Sequence, residues 1–268
     1  MERRNTSSDL AARIFAAVPA IVFAIAIVWA GGIVWTIGLI GLGIICLHEL
    51  YAMFDRAHPA RLAGFLSLIG MALAAHYHQR DGLLLAMVLT VPLTFFLVVA
   101  QRRGGAAAIS VTMLGIVWIG LAIGHAVMLR DLPHGNAIVI DVLVGTFLGD
   151  TGAYLGGRAI GSTPLAPRIS PNKTWEGLGI GMVVCIGSVW YASRTYDGNW
   201  IAGTDGLLLG VAVAIAAPLG DLFESLIKRD VGTKDTGGLF GVHGGALDRL
   251  DAALFSLIAG YQVWQALT

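Results

Sequence analysis

"LLLAMVLTVPLTFFLVVA", residues 83–100, runs for eighteen positions without a charge. Coiled as a helix it would rise about 27 Å, close to the ~30 Å hydrocarbon core of a bilayer. Comparable uncharged windows recur along the chain, which has 268 residues, 56% of them hydrophobic and 13% charged. An ordinary soluble domain carries about 25% charge. The composition excludes that class and reads as an all-α polytopic integral membrane protein. Thirty-six glycines fit the same class, because they let membrane helices approach closely. Cys46 and Cys185 both lie inside apolar stretches and read as buried thiols rather than as disulfide or metal ligands.

Hydropathy predicts about nine spans: Ile14–Ala30, Ile33–Leu47, Leu62–Ala75, Leu83–Ala100, Ala106–Leu129, Ala137–Leu155, Gly177–Ala192, Leu207–Leu226 and Leu247–Ala266. Gly31-Gly32, Gly104-Gly105 and Pro133–Asn136 read as turns between them. With the N-terminus in the cytoplasm, 14 of the 17 Lys and Arg fall on inside segments, and only Arg80, Arg130 and Arg194 fall outside. That bias follows the positive-inside rule and predicts a cytoplasmic N-terminus and an outside C-terminus. The basic start and Val28-Trp29-Ala30 also fit a cleaved signal segment, which would leave the remaining topology unchanged. Two regions are expected: residues 1–136, about five spans serving as scaffold and dimer contact, and residues 137–268, about four spans carrying the chemistry.

Polar residues gather in two inside loops of that second region. One is "GDTGAYLGGRAIGSTPLAPRISPNKTWEG" (149–177); the other is "KRDVGTKDTGGLFGVHGGALDRLD" (228–251). Asp150 and Asp221 fall within spans, where a carboxylate is expensive unless it faces a polar cavity or a cation. Asp221, Glu224, Ser225 and Lys228 follow i, i+3, i+4, i+7 spacing and share one helix face. Asp248 and Asp251, three apart, open the last helix. Such oxygen donors suit Mg²⁺, which commonly takes one or two carboxylates and completes its shell with phosphate oxygens. Lys173, Lys228, Arg229, Lys234 and Arg249 supply cations for a polyphosphate. Gly237, Gly238, Gly241, Gly244 and Gly245 allow backbone N–H groups to approach phosphate oxygens. Together they point to nucleotide-dependent phosphoryl or nucleotidyl transfer at a membrane surface. Taken alone, His243 reads as structural, Asp141 as structural or pore-lining, and His48 with Glu49 as a local polar pair.

The run S-x-I-K-R-x4-K-D-x-G-x2-F-G-x-H-G-G-A-x-D-R-L-D, Ser225 to Asp251, resembles the signature of phosphatidate cytidylyltransferases, also called CDP-diacylglycerol synthases. "GDLFES", "GDTGAYLGGR" and "LAPRISPNKTWEG" are similar to further elements of that family, and the resemblance covers roughly residues 140–268. Gly241-Val242 stands where the family commonly has Pro-Gly, and Ala246 is smaller than the usual residue. The resemblance implies condensation of CTP with phosphatidic acid to CDP-diacylglycerol and pyrophosphate, with Mg²⁺ and a homodimer, in a bacterial cytoplasmic membrane with the site facing inward. It leaves a second cation open and implies no nucleic-acid partner. On this reading Asp221, Asp248 and Asp251 hold the metal. Asp150, Ser170, Asn172, Lys173, Thr174, Glu176, Ser225, Gly244 and Gly245 position CTP and its phosphates. Lys228, Arg229, Lys234, Asp235, His243 and Arg249 act at the reacting phosphates. The alternatives are another CTP-dependent lipid transferase, a CDP-archaeol synthase or a dolichol-kinase-like enzyme, and a non-enzymatic transporter or channel. The last predicts charge on both sides, whereas the charged clusters lie on one.

Overall fold

Uncharged runs bounded by glycine or charge become helices in the computed structural model, which describes residues 22–195, 201–233, 235–237 and 244–268. Residues 22–30 form α1, and Gly31 and Gly32, both at positive φ (63° and 50°), turn the chain into α2 (Gly32–Met53). Then come α3 (Arg61–Gln101), α4 (Ala106–Gly115) and α5 (Leu121–Asp131), the last two continuous through a π-helical turn at Ile116–Gly120. The second half holds α6 (Gly135–Ile160), α7 (Trp175–Arg194), α8 (Gly203–Val231) and α9 (Leu247–Leu267). Between α6 and α7 lies a small antiparallel hairpin, β1 (Pro164–Ala166) and β2 (Ser170–Thr174), with Ala166 opposite Ser170 and Pro164 opposite Thr174.

Six helical runs among the described residues are long and apolar enough to cross a membrane: Gly32–Met53, Arg61–Gln101, Ala106–Asp131, Gly135–Ile160, Trp175–Arg194 and Gly203–Val231. The chain is thus an all-α polytopic membrane protein. α9 falls outside the six, having Asp248, Arg249 and Asp251 in its first turns and Gln262 and Gln265 near its end.

The 41 residues of α3 would reach about 60 Å if straight, twice the apolar thickness of a bilayer. The run is broken at Gln79, where φ is 49° and ψ −136°. A Cβ on Gly82 would touch the carbonyl oxygen of Ala74 and lie 2.6 Å from the Cβ of His78. Residues eight apart in an unbroken helix are about 12 Å apart. The chain therefore doubles back, and its two arms coincide with the separate spans expected at Leu62–Ala75 and Leu83–Ala100.

The halves of the chain share one core. Tyr51 of α2 is fully buried and donates its hydroxyl to the Thr112 carbonyl at 2.9 Å; the Trp35 indole donates to Ala126 O at 3.0 Å. Leu47, Met71, Ile119, Ile138, Leu209 and Leu247, from six helices, belong to the same buried cluster. Cys46 and Cys185 are free and buried.

Small residues set the tightest helix contacts. A Cβ on Gly181 of α7 would lie 2.7 Å from both Gly149 O and Ala153 Cβ of α6. A Cβ on Gly220 of α8 would touch Asp251 O and come within 3.1 Å of Ala252 Cα. Backbone meets backbone at both crossings, and the second brings the carboxylate-bearing turns of α8 and α9 together.

Gly181→Leu forces α6 and α7 apart and lowers stability by about 1–3 kcal/mol. Gly179→Leu, where an added Cβ meets nothing within 4 Å, stays within about 0.5 kcal/mol. Thermal loss of the monodisperse peak in detergent measures both, and equal midpoints for the two variants would refute this account of the crossing.

Candidate active site

A cavity of about 630 Å³ lies between α6, α7, α8 and the β-hairpin, a size suited to a small ligand. Its polar wall includes Asp150 of α6, Ser170, Asn172, Lys173 and Thr174 of β2, and Asp221 of α8. Thr174 also caps α7, accepting from Gly177 N at 3.1 Å. The N-terminus of α7, with its partial positive charge, thus opens on the cavity.

The hairpin is held at both ends. At its base Glu176 accepts from Ser162 Oγ (2.7 Å), Thr163 Oγ1 (2.9 Å) and Thr163 N (3.1 Å). At its tip Arg229 of α8 donates to the Ile169 carbonyl at 3.1 Å. So anchored, β2 delivers the Lys173 ammonium onto Asp221, forming an ion pair. Ser225, one turn along α8, donates to the other oxygen of Asp221 at 3.3 Å. Asp150 lies within electrostatic reach of both Lys173 and Asp221.

A second network adjoins the first. Lys228 donates to Glu224 at 2.6 Å and to Asp248 at 2.8 Å. Its side chain is 15% exposed, against 1% for Glu224 and 12% for Asp248. Asp248 also accepts from Gly245 N at 2.7 Å and Thr236 N at 3.0 Å. Asp251, one turn further along α9 and buried, lies within electrostatic reach of Asp221, Glu224 and Lys228.

The structure therefore brings together Asp150, Lys173, Asp221, Ser225, Lys228, Asp248 and Asp251, with Ser170, Asn172 and Thr174 on the cavity wall and Gly244-Gly245 buried beside Asp248. It uses others differently. Glu176, expected to position CTP, is committed to the hairpin base and does not line the cavity. Arg229 holds the hairpin tip, and Asp235 and Arg249 are exposed. Lys234 and His243 lie outside the described residues. Of Asp221, Asp248 and Asp251, expected to hold a metal, the first two are paired with lysines in this structure. Among the described residues no three acidic, His or Cys side chains converge to hold a metal. Both oxygens of Asp248 accept from Lys228 and loop N–H groups, and Lys173 sits on Asp221.

Sequence reasoning missed two residues. Arg158, counted only as an inside charge, lines the cavity with Tyr154. Glu49 of α2 is no partner of His48: adjacent helical residues point about 100° apart, and His48 is exposed while Glu49 is 5% exposed. Its signal was available, since a carboxylate in an otherwise uncharged helix is the feature that singled out Asp150 and Asp221.

Comparison with known proteins places this geometry in context. The chain matches the cytidylyltransferase family over residues 11–267. It is 37% identical over 158 residues to a phosphatidate cytidylyltransferase of Mycobacterium bovis, covering 58% of this chain and 50% of that protein. Over 126 residues it is 41% identical to one from Helicobacter pylori, 46% of each chain. Over 167 residues it is 37% identical to phosphatidate cytidylyltransferase 5, chloroplastic, of Arabidopsis thaliana, 61% of this chain and 39% of that one. The matched segment spans about half the length of the first two relatives or less.

Lys228→Met strands Glu224 and Asp248 without their shared cation and lowers stability by about 3–5 kcal/mol. Adding Glu224→Met to that variant recovers part of the loss, because one stranded charge is gone. Thermal unfolding in detergent reads both, and a double variant no better than the single one contradicts the bridge.

Proposed function

The chain belongs to the cytidylyltransferase family, and from that premise we propose that it condenses CTP with phosphatidic acid, giving CDP-diacylglycerol and pyrophosphate. The observation that carries the reading is the Lys173–Asp221 pair, set in a cavity beside the Lys228–Asp248 bridge. Two lysine–carboxylate pairs stand in adjoining networks, a supply of cations and acids that two phosphate-bearing substrates and a metal ion would call on.

The nucleophile is a phosphate oxygen of phosphatidate, which attacks the α-phosphorus of CTP. The bond from that phosphorus to the oxygen bridging the α- and β-phosphates breaks, and pyrophosphate leaves. A phosphate monoester has a second pKa of about 6, so the attacking oxygen is already anionic near neutral pH. No strong general base is needed. The demand is to hold two anions together in line.

The family implies a divalent metal, for which we propose Mg²⁺. The donors fit: Mg²⁺ needs only one or two carboxylates when phosphate oxygens complete its shell. Asp221 and Asp251, on turns that Gly220 brings together, supply that pair. Bound there, the cation would neutralise charge on the transferring phosphoryl group. Lys173 and Lys228, now paired with carboxylates, would turn to phosphate oxygens as the ligands arrive. Ser170, Asn172 and Thr174 line the wall where the nucleotide would lie. Asp248 orients Lys228 and the loop N–H groups.

Leu148 and Leu155 of α6 and Leu219 of α8 are exposed beside the cavity helices. They offer an apolar path by which phosphatidate could enter while its acyl chains stay in lipid. The nine-span arrangement, the cytoplasmic N-terminus, the inward-facing site in a bacterial cytoplasmic membrane and the homodimer belong to the same proposal. The charge bias of the inside segments supports the orientation.

Purified protein given labelled CTP should form labelled lipid only with both phosphatidate and Mg²⁺ present, releasing pyrophosphate. Asp251→Asn and Asp221→Asn should each lower the rate by about 100-fold or more, since each weakens charge neutralisation in the transition state. Full activity in Asp251→Asn removes the metal assignment. Transfer to an archaeal diether phosphate or a lipid alcohol, with none to phosphatidate, moves the chain to a sister activity.

A further inference from the structure

The N-terminus of α9 carries the carboxylates of the proposed site, yet its N-cap residue is Ala246, which has no side-chain acceptor. The first N–H groups of a helix need one. Here it comes from α2. Glu49 accepts from Ala246 N at 3.0 Å and from Leu247 N at 2.9 Å, with Thr236 Oγ1 at 3.4 Å from the second oxygen. Gly237 and Gly245 pack directly on this carboxylate: an added Cβ would lie 2.8 Å from Glu49 Oε1 at the first and 2.6 Å from Glu49 Cδ at the second.

Thr236–Gly237 and Gly244–Leu247 are the two stems of the glycine-rich loop. Asp248 grips the same stems from the other side, through Thr236 N and Gly245 N. The stems are therefore clamped between a carboxylate of α2 and a carboxylate of α9, and the second of these orients Lys228.

We propose that Glu49 is a positioning residue for these two stems and for the first turn of α9. It fixes where Asp248, Lys228 and Asp251 stand, and through them the triphosphate end of the site, without touching substrate. Its charge is essential because both oxygens must accept. Glutamine would present an NH₂ group to one of the N–H donors, whereas aspartate keeps both acceptors at shorter reach. The inference rests on the proposed transferase reading for its kinetic readout only.

The test uses the full chain in detergent, comparing Glu49→Gln, Glu49→Asp and His48→Ala with the parent protein. Hydrogen exchange of peptides covering residues 236–254 is read alongside the rate with CTP, phosphatidate and Mg²⁺. Glu49→Gln should speed exchange in those peptides and leave α6 and α7 unchanged. It should lower kcat by about 10- to 100-fold, as expected when buried N–H donors lose an acceptor, and raise the Mg²⁺ concentration needed for half-maximal rate. Glu49→Asp should recover part of each effect, and His48→Ala should match the parent in all. Parental exchange and kcat in Glu49→Gln overturn the proposal. So does a Glu49→Asp protein as damaged as Glu49→Gln, or two unfolded variants, because the role is then support of the fold alone. If the parent is inactive with CTP and phosphatidate but the exchange difference appears, the transferase reading fails and the positioning role stands.

Discussion

An ionised carboxylate placed among apolar helices needs a cation or N–H donors within reach, and the architecture around the cavity supplies them to Asp221, Glu224, Asp248 and Glu49. Unpaired, each would be destabilising by several kcal/mol. Asp221 has Lys173; Glu224 and Asp248 share Lys228; Glu49 and Asp248 take the N–H groups of the loop stems. The rest of the arrangement follows. Lys173 reaches Asp221 only because the hairpin is fixed at base and tip, and α9 joins the network only because Gly220 lets it approach α8 backbone to backbone.

The two lysines come from elements of different kinds. Lys228 belongs to the helix that bears Asp221 and Glu224, so its position is set by helical geometry. Lys173 belongs to a strand of five residues, fastened by side chains outside the strand. One cation is built into the wall of the site and the other is presented to it. A polyanion entering the cavity would meet Lys173 on its wall, with Lys228 in the adjoining network.

Helices were legible in the sequence because uncharged windows of membrane length have no other stable use. Leu62–Ala75 and Leu83–Ala100 were legible as separate apolar runs, and the long third helix breaks between them at Gln79. The β-hairpin was not legible: its strands are short and polar, and its anchors, Glu176 and Arg229, lie outside it. The site was half legible. Helical spacing put Asp221, Glu224, Ser225 and Lys228 on one face, and the structure keeps them there. Spacing could not say that Lys173, 48 residues earlier, pairs with Asp221. Nor could it say that loop N–H groups would claim Asp248. Glu49 was misread because its only visible partner was its neighbour, while its real partners lie 197 and 198 residues away.

That separation bears on how the protein is made. When α2 enters the membrane, the N–H groups that will satisfy Glu49 have not been synthesised, and nearly two hundred further residues must follow. Until α9 arrives, that carboxylate must take its donors from elsewhere, water at the membrane surface among them. A chain halted before α9 lacks the two backbone N–H groups from which this carboxylate accepts.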